Sequence, residues 1–149
     1  MKILFLLPVS SHVRFRKRIN ALKFLGAKVK VLSFTRDYYE GSTWDIDVQS
    51  LGKIEHGYYM KRLVSLFKVI PKVRTESKSC DVIYTFGLDL LLLSWLAANF
   101  NNKKIVYELG DLGIRTEKSF KAKLINLLES KLLYLVDKLI LTSLGYYEG

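Results

Sequence analysis

The sequence predicts an α/β fold in which a mainly parallel β-sheet is covered by helices on both faces. Short apolar runs alternate along the chain with longer segments that carry apolar residues at helical spacing. The short runs are almost continuously hydrophobic, which is typical of strands that are buried on both faces. Because the links between them are short, right-handed crossovers would place successive strands side by side in one sheet.

The predicted elements follow one another in a regular order. Pro8 ends the first strand, Gly26 ends the first helix, and Pro71 kinks or divides the second helix. No repeat, low-complexity tract or flexible linker interrupts the pattern, so we expect residues 1–149 to form one domain. Strands are predicted at 3–7, 29–34, 46–51, 82–86, 104–108 and 138–142, and helices at 12–25, 58–78, 88–100 and 119–136.

The chain is strongly basic. It has 24 Lys and Arg against 14 Asp and Glu, a formal net charge of +10. Such a surplus attracts nucleic acid, anionic lipid headgroups or phosphorylated substrates. The single cysteine, Cys80, cannot form an intramolecular disulfide, which favours a cytosolic setting. Its position before an apolar run suggests an inert, partly buried thiol more than a reactive one.

Several function classes lack their sequence signals. No GxGxxG follows the first strand and no GxxxxGK[ST] occurs, which argues against a dinucleotide-binding dehydrogenase and a P-loop NTPase. The two histidines and one cysteine are widely spaced, so no metal site is predicted. No apolar stretch approaches the length of a membrane span, and residues 2–9 are better explained as a buried strand than as a signal peptide. No catalytic residue can be assigned.

The turn after the first strand is the first candidate site. Ser10 or Ser11 could cap the first helix, and the free amides at that helix start could bind an anion. His12 lies at the mouth of the turn. It could contact a substrate, act as a base or be only a polar surface group. His56 lies in a less regular region, 35–57, where a surface role is the simpler interpretation.

The end of the strand at 104–108 is the second candidate site. Glu108 and Asp111 are carboxylates at this position, with Gly110 between them. Ligands of open parallel sheets collect outside the carboxyl ends of the strands. Asp111 is expected either to brace the loop or to contact a ligand, and Glu108 could pair with a lysine.

Two basic stretches could face an anionic membrane. The first helix carries Arg14, Lys17 and Arg18, and the second basic stretch includes Lys61, Arg62 and Lys68 among aromatic and apolar residues. A merely solvated basic face is the alternative. The helix at 119–136 mixes lysines with leucines, so its outer side could face a partner or a membrane.

Several of these segments together resemble the N-terminal domain of family 4 retaining glycosyltransferases, whose GT-B fold has two Rossmann-like halves. The likeness covers nearly the whole chain. Its strongest part is the pairing of a strand and YExxD loop with a DxxIxxS strand about 30 residues later. The matching segments are MKILFLLP at 1–8, LGAKVKVL at 25–32, CDVIY at 80–84, VYELGDL at 106–112, ESK at 129–131 and VDKLILTS at 136–143.

The resemblance implies a division of labour between two domains. In such enzymes the N-terminal domain binds a glycan or lipid-linked acceptor, and the C-terminal domain binds the nucleotide-sugar donor. The turn at Ser10, Ser11 and His12 would face the cleft between them, and the loop at Gly110 and Asp111 would lie beside the transferred sugar. The basic helices would rest on the cytoplasmic, inner face of the membrane.

The resemblance also implies what this chain does not supply. The nucleotide-sugar domain is absent from the 149 residues, so the chain is expected to be inactive alone and to need a C-terminal domain or a separate catalytic subunit. No cofactor is expected in this chain. Many members have histidine before the loop aspartate, whereas this chain has Gly110. The alternative from another class is a basic α/β module that binds nucleic acid or another polyanion, although no recognised nucleic-acid motif is present.

Overall fold

The apolar runs form the strands of a single sheet. A computed structural model describes residues 1–10, 12–35, 46–54, 59–99, 101–110 and 120–142, with backbone only at 59–63, 120–122 and 125. The strands are β1 (Lys2–Leu7), β2 (Lys28–Thr35), β3 (Val48–Lys53), β4 (Val82–Phe86), β5 (Lys104–Leu109) and β6 (Lys138–Leu141). The helices are α1 (Val13–Phe24), α2 (Tyr59–Ser77), α3 (Leu88–Ala98) and α4 (Phe120–Leu133).

The sheet has six strands in the order β3-β2-β1-β4-β5-β6, and every neighbouring pair is parallel. The direction in which the sheet grows therefore reverses between β1 and β4. In open α/β sheets such a reversal opens a crevice at the carboxyl ends of the strands, where ligands bind. This is the edge at which both candidate sites were predicted.

The two faces of the sheet are covered differently. One face packs against α2, α3 and α4, and its core includes Leu4, Leu6, Val73, Leu91 and Leu132. On the other face, α1 is the only described helix that contributes to the core, through Phe15 and Ile19, which pack on Phe5 and Tyr84. Side chains from α1 consequently reach the sheet surface beside the reversal point.

Two aspartates fix the register of neighbouring strands by the same device. The Lys2 amide donates to Asp81 Oδ2 at 2.7 Å, and the Asp81 amide donates to the Lys2 carbonyl at 2.8 Å. The Ile105 amide donates to Asp137 Oδ2 at 2.8 Å, and the Asp137 amide donates to the Ile105 carbonyl at 2.9 Å. Each aspartate directly precedes a strand, β4 or β6, and ties its start to the strand beside it.

The element predictions hold with small shifts. Gly26 ends α1 as predicted, with a φ of +84° that favours glycine. Pro71 lies inside one continuous α2 and does not divide it. The short predicted strand at 46–51 is β3, two residues further along. Cys80 is buried as expected, and burial raises the pKa of its thiol. His56, most of the irregular region and residues 143–149 lie outside the described residues.

No helix in the described part of the chain combines the length and the apolar character that crossing a bilayer requires.

Candidate functional site at the carboxyl edge of the sheet

Glu108 is the centre of the candidate site. It is the second-last residue of β5, and its side chain is completely inaccessible to solvent. A buried carboxylate is costly unless it is paired and hydrogen-bonded. Its partners come from two elements, β4 and two successive turns of α1. Glu108 therefore joins the helix to the sheet at the reversal point.

Tyr84 supplies the partner from the sheet. Tyr84 and Val106 are neighbours in the register of β4 and β5, so Glu108 lies two residues further along on the same face. The Tyr84 hydroxyl donates to Glu108 Oε2. Burial raises the pKa of Tyr84, and the hydrogen bond to Glu108 and the negative charge of Glu108 raise it further. The phenol is therefore protonated at neutral pH and can serve as a donor.

Two arginines of α1 supply the positive charge. Arg18 Nη2 donates to Glu108 Oε1 at 3.0 Å, and Arg14 Nη1 lies 3.7 Å from the same oxygen. The two arginines are one helical turn apart, so they share a face of α1. Both guanidinium groups remain partly exposed, whereas the carboxylate between them does not. The cluster of Arg14, Arg18, Tyr84 and Glu108 is called the Glu108 cluster below.

Aromatic rings continue the cluster toward the helix start. Phe15 meets Phe86 edge to face, with ring centroids 5.0 Å apart, and lies 5.5 Å from the His12 ring. The Arg14 guanidinium carbon lies 5.9 Å from the centre of the Phe86 ring, within the range of a cation–π contact. Phe86 thus lies between α1 and Gly110, the residue that follows β5.

Because residue 110 is glycine, the Phe86 ring can lie against the backbone there. A Cβ added at residue 110 would overlap the ring of Phe86. The side chain that many members of the resembled family carry at this position has no room here. Phe86 occupies the space instead, which explains why glycine stands at this point of the chain.

The structure places the predicted site residues unevenly. His12 and Gly110 lie at the carboxyl edge with Glu108, and Ser10 is partly buried in the turn before α1. Lys17 and Lys68 are exposed on α1 and α2. Ser11 and Asp111 lie outside the described residues, and so do the side chains of Lys61 and Arg62. Substrate contacts at the cleft positions, and contacts of the basic residues with a membrane or an anion, stay predictions.

Two local predictions are wrong. Ser10 does not cap α1: His12 is the N-cap residue, and its Nδ1 accepts from the Arg14 amide at 3.3 Å. Imidazole nitrogen can replace a serine oxygen here because the cap needs only an acceptor near the free amides. Within the described part of the chain, Glu108 pairs with arginines and not with a lysine, because α1 crosses the sheet directly above it.

The sequence did not identify Tyr84 or Phe86 as residues of the site. Both lie in an apolar strand and look like ordinary core residues. The available signal was alternation: Tyr84 and Phe86 share a face, and in parallel register that face continues to Glu108. That inference requires β4 and β5 to be neighbours, which the order of elements along the chain does not fix.

Among the described residues, no group of histidine, cysteine and carboxylate side chains is arranged to hold a metal ion. A cavity of about 120 Å³ lies at the opposite, amino edge of the sheet, lined by residues that include Lys2, Lys28, Lys30, Glu76 and Cys80. It is remote from the Glu108 cluster and has no part in the site.

Comparison with known proteins shows which solved structures share this fold. No protein-family model and no curated protein matches the sequence. Among solved structures, a sucrose-phosphate synthase from Thermosynechococcus elongatus is 15% identical with a TM-score of 0.70, over 99% of this chain and 79% of that one. A UDP-GlcNAc 2-epimerase from Methanocaldococcus jannaschii is 14% identical with a TM-score of 0.63, over 96% of this chain and 40% of that one.

MurG from Acinetobacter baumannii is 11% identical with a TM-score of 0.60, over 94% of this chain and 40% of that one. These neighbours are GT-B proteins, and this chain shares their Rossmann-like α/β fold, which is consistent with a GT-B N-terminal domain. The predicted fold class is confirmed. The chain spans less than half the length of the epimerase and of MurG. Membership of family 4 and a retaining reaction stay predictions.

Proposed function

We propose that this chain is the acceptor-binding half of a glycosyltransferase that moves a sugar from a nucleotide-sugar to a glycan or lipid-linked acceptor at a membrane surface. The observation that carries the proposal is the sheet order β3-β2-β1-β4-β5-β6 together with the likeness to GT-B structures. The fold supports a sugar-transfer half-domain, and the site and the surface support the finer assignment.

The chemistry of the site suits binding more than catalysis. Glu108 is buried and holds Tyr84 and two arginines, so it cannot take a proton from a substrate hydroxyl without first losing its partners. The exposed groups nearby are the guanidinium groups of Arg14 and Arg18 and the N-cap residue of α1, His12. Such groups orient a polar or anionic acceptor at the crevice.

The nucleotide-sugar would bind to a second half, supplied by a C-terminal domain or by a separate catalytic subunit. The extent of the structural match supports this arrangement, because the chain covers 40% of MurG. Under this proposal the 149 residues bind acceptor alone, and transfer requires the second half.

The surface supports action at a membrane. Four leucines of α4 and the following turn are exposed, and lysines lie among them: Leu124, Leu127, Leu128, Leu135, Lys123 and Lys131. Residues 124, 127, 128 and 131 share one side of the helix. An apolar side flanked by lysines suits the interface of an anionic bilayer. The proposed location is the cytoplasmic face of the membrane.

Binding of donor and acceptor by the full chain tests the proposal. A short-chain isoprenyl-diphosphate sugar in neutral micelles and a set of UDP- and GDP-sugars are titrated separately, with backbone amide NMR as the readout. We expect the acceptor to shift signals from His12, Phe86 and Gly110, and the nucleotide-sugars to leave the spectrum unchanged. Empty micelles are the control. Tight donor binding by this chain alone would contradict the proposal.

A further inference from the structure

We propose that Arg14 and Arg18 form a binding site for a phosphate group at the carboxyl edge of the sheet, with Glu108 and Tyr84 as the residues that position them. The assignment of this phosphate to an acceptor substrate rests on the proposed function. The site itself rests on the geometry of the Glu108 cluster.

The hydrogen-bond count of the cluster leaves donors unused. Oε2 of Glu108 accepts from Tyr84, and Oε1 is shared by Arg14 and Arg18. Each guanidinium carries five N–H groups in a planar fork. Of the two arginines, only Arg18 has a nitrogen, Nη2, within hydrogen-bond distance of the carboxylate, because Arg14 Nη1 lies 3.7 Å away. One carboxylate oxygen cannot satisfy two guanidinium groups.

One of the unused donors is buried. Arg18 Nε is inaccessible to solvent and has no hydrogen-bond partner. Buried polar groups are nearly always paired, so an unpaired one needs an explanation such as a ligand or an ordered water. An acceptor atom that reached Arg18 Nε would satisfy this donor.

The charges of the cluster favour an anion. Two arginines face one carboxylate, which leaves an excess of one positive charge, and the first turn of α1 contains no acidic residue. The exposures give the direction of approach: the side chains of Arg14 and Arg18 are 39% and 34% exposed, whereas that of Glu108 is 0% exposed. A ligand meets the cations and not the carboxylate.

Phosphate fits the donor geometry of these groups. Arginine binds phosphate through paired N–H donors. Glu108 accepts from Nη2 of Arg18, and the Phe86 ring lies beside Arg14. Because both guanidiniums are held in place before a ligand arrives, less conformational entropy is lost on binding.

The first experiment titrates inorganic phosphate and a soluble phosphate monoester into the full chain at about 150 mM ionic strength, where weak surface attraction is largely screened. Arginine Nε–Hε NMR signals are the readout. We expect saturable shifts of the Arg14 and Arg18 signals. Arg14→Gln and Arg18→Gln should each weaken binding by roughly tenfold or more, the loss of a charge-assisted pair of bonds. Arg16→Gln, which removes the same charge from an exposed position of α1, is the matched control and should change binding less than about twofold.

The positioning role has a separate readout. Glu108→Gln raises the net charge of the cluster, so a purely electrostatic site would bind phosphate more tightly after this substitution. A site that depends on positioning would bind it more weakly, and the Arg18 signal would broaden. Tyr84→Phe tests the same role without a change of charge, and should also weaken phosphate binding in a chain whose amide spectrum shows that it is folded.

The outcomes separate this proposal from the proposed function. Equal weakening by Arg16→Gln, or an absence of saturable shifts, would overturn the phosphate site. If a phosphate-free acceptor glycan still shifted the signals of Phe86 and Gly110, the proposed function would stand without this site.

The source of the phosphate is decided by a comparison of affinities. An isoprenyl phosphate in neutral micelles that binds more tightly than inorganic phosphate would place the phosphate on a lipid-linked ligand. Equal affinities would favour a free phosphate compound. Tighter binding after Glu108→Gln would overturn the positioning role.

Discussion

At the scale of single residues, Gly110 shows how a missing side chain shapes the site. Glycine is not required at residue 110 by the left-handed backbone conformation, because the φ of this residue is not positive. The requirement is space, since the Phe86 ring lies where a Cβ would be. Phe86 in turn contacts Phe15 and lies beside Arg14.

We therefore predict that Gly110→Ala destabilises the protein by about 1–3 kcal/mol, because the Cβ displaces a packed ring. Urea unfolding followed by circular dichroism measures the change in the free energy of unfolding. The double variant Gly110→Ala with Phe86→Leu is the control, since a smaller side chain at 86 leaves room for the new methyl group. An equal cost of Gly110→Ala in both backgrounds would show that Phe86 is not the cause.

Tyr84 makes stability depend on alkaline pH. The folded state holds the pKa of Tyr84 above its ordinary value, because burial and Glu108 both disfavour the phenolate. In the unfolded chain the phenol ionises near pH 10. Ionisation therefore favours the unfolded state, and the contribution is fully present below pH 10 and falls as the pH rises above it.

Tyr84→Phe should remove this pH dependence. It should also cost about 1–3 kcal/mol at neutral pH, because one oxygen of the buried Glu108 loses its donor. Unfolding free energies between pH 7 and pH 11 for the wild type and the variant give the test. The difference between the two proteins should shrink above about pH 10. A constant difference across that range would contradict the assignment.

At the scale of elements, the aspartates before β4 and β6 tie the start of each strand to the strand beside it. Asp81 binds the start of β1 and Asp137 binds the start of β5, each through a backbone and a side-chain hydrogen bond. Both aspartates belong to segments that the sequence marked as motifs, CDVIY and VDKLILTS. The structure gives the motif a physical role, since each one sets strand register at the amino edge.

We expect Asp137→Ala to reduce the free energy of unfolding by about 1.5–3 kcal/mol, the range for a hydrogen bond to a charged group. Hydrogen exchange of the Ile105 amide should accelerate, because that amide loses its acceptor. Lys138→Ala, an exposed neighbour, is the control and should have little effect. Protection of Ile105 that survives Asp137→Ala would show that the side chain does not fix the register.

At the scale of the whole molecule, exposed apolar residues lie on both sides of the sheet. Leu124, Leu127 and Leu128 form one side of α4 beside Lys131. Phe24 is an exposed aromatic residue at the end of α1, which packs on the other face of the sheet. If the chain attaches to membranes through α4 as proposed, the first set should contribute and Phe24 should not.

Leu127→Ser should weaken binding to vesicles of phosphatidylglycerol and phosphatidylcholine by roughly 10- to 30-fold, the effect of losing about 2 kcal/mol of apolar burial. Phe24→Ser is the matched control and should bind as the wild type does. Cosedimentation at several salt concentrations measures the partition coefficient. Equal loss in both variants, or no preference for anionic over neutral vesicles, would contradict membrane docking through α4.

Much of the fold was predictable because it depends on patterns that are local in the chain. Apolar runs such as residues 82–86 and the breaking residues Pro8 and Gly26 determine where strands and helices begin and end. The candidate site was only half predictable. Glu108 and Gly110 stand at a strand end and could be selected from the sequence, but Tyr84 and Phe86 could not, because their roles depend on the strand beside them.

The sequence by itself determined the alternation of strands and helices, the basic charge and the strand end at which the site lies. Hydrophobic periodicity and turn residues act over a few neighbouring positions, so they are visible in the chain. Only the tertiary structure decided that Arg14 and Arg18 meet Glu108, some 90 residues away, and that Phe86 fills the space above Gly110. These contacts follow from the order of strands in the sheet and the position of α1 above it, which no local pattern specifies.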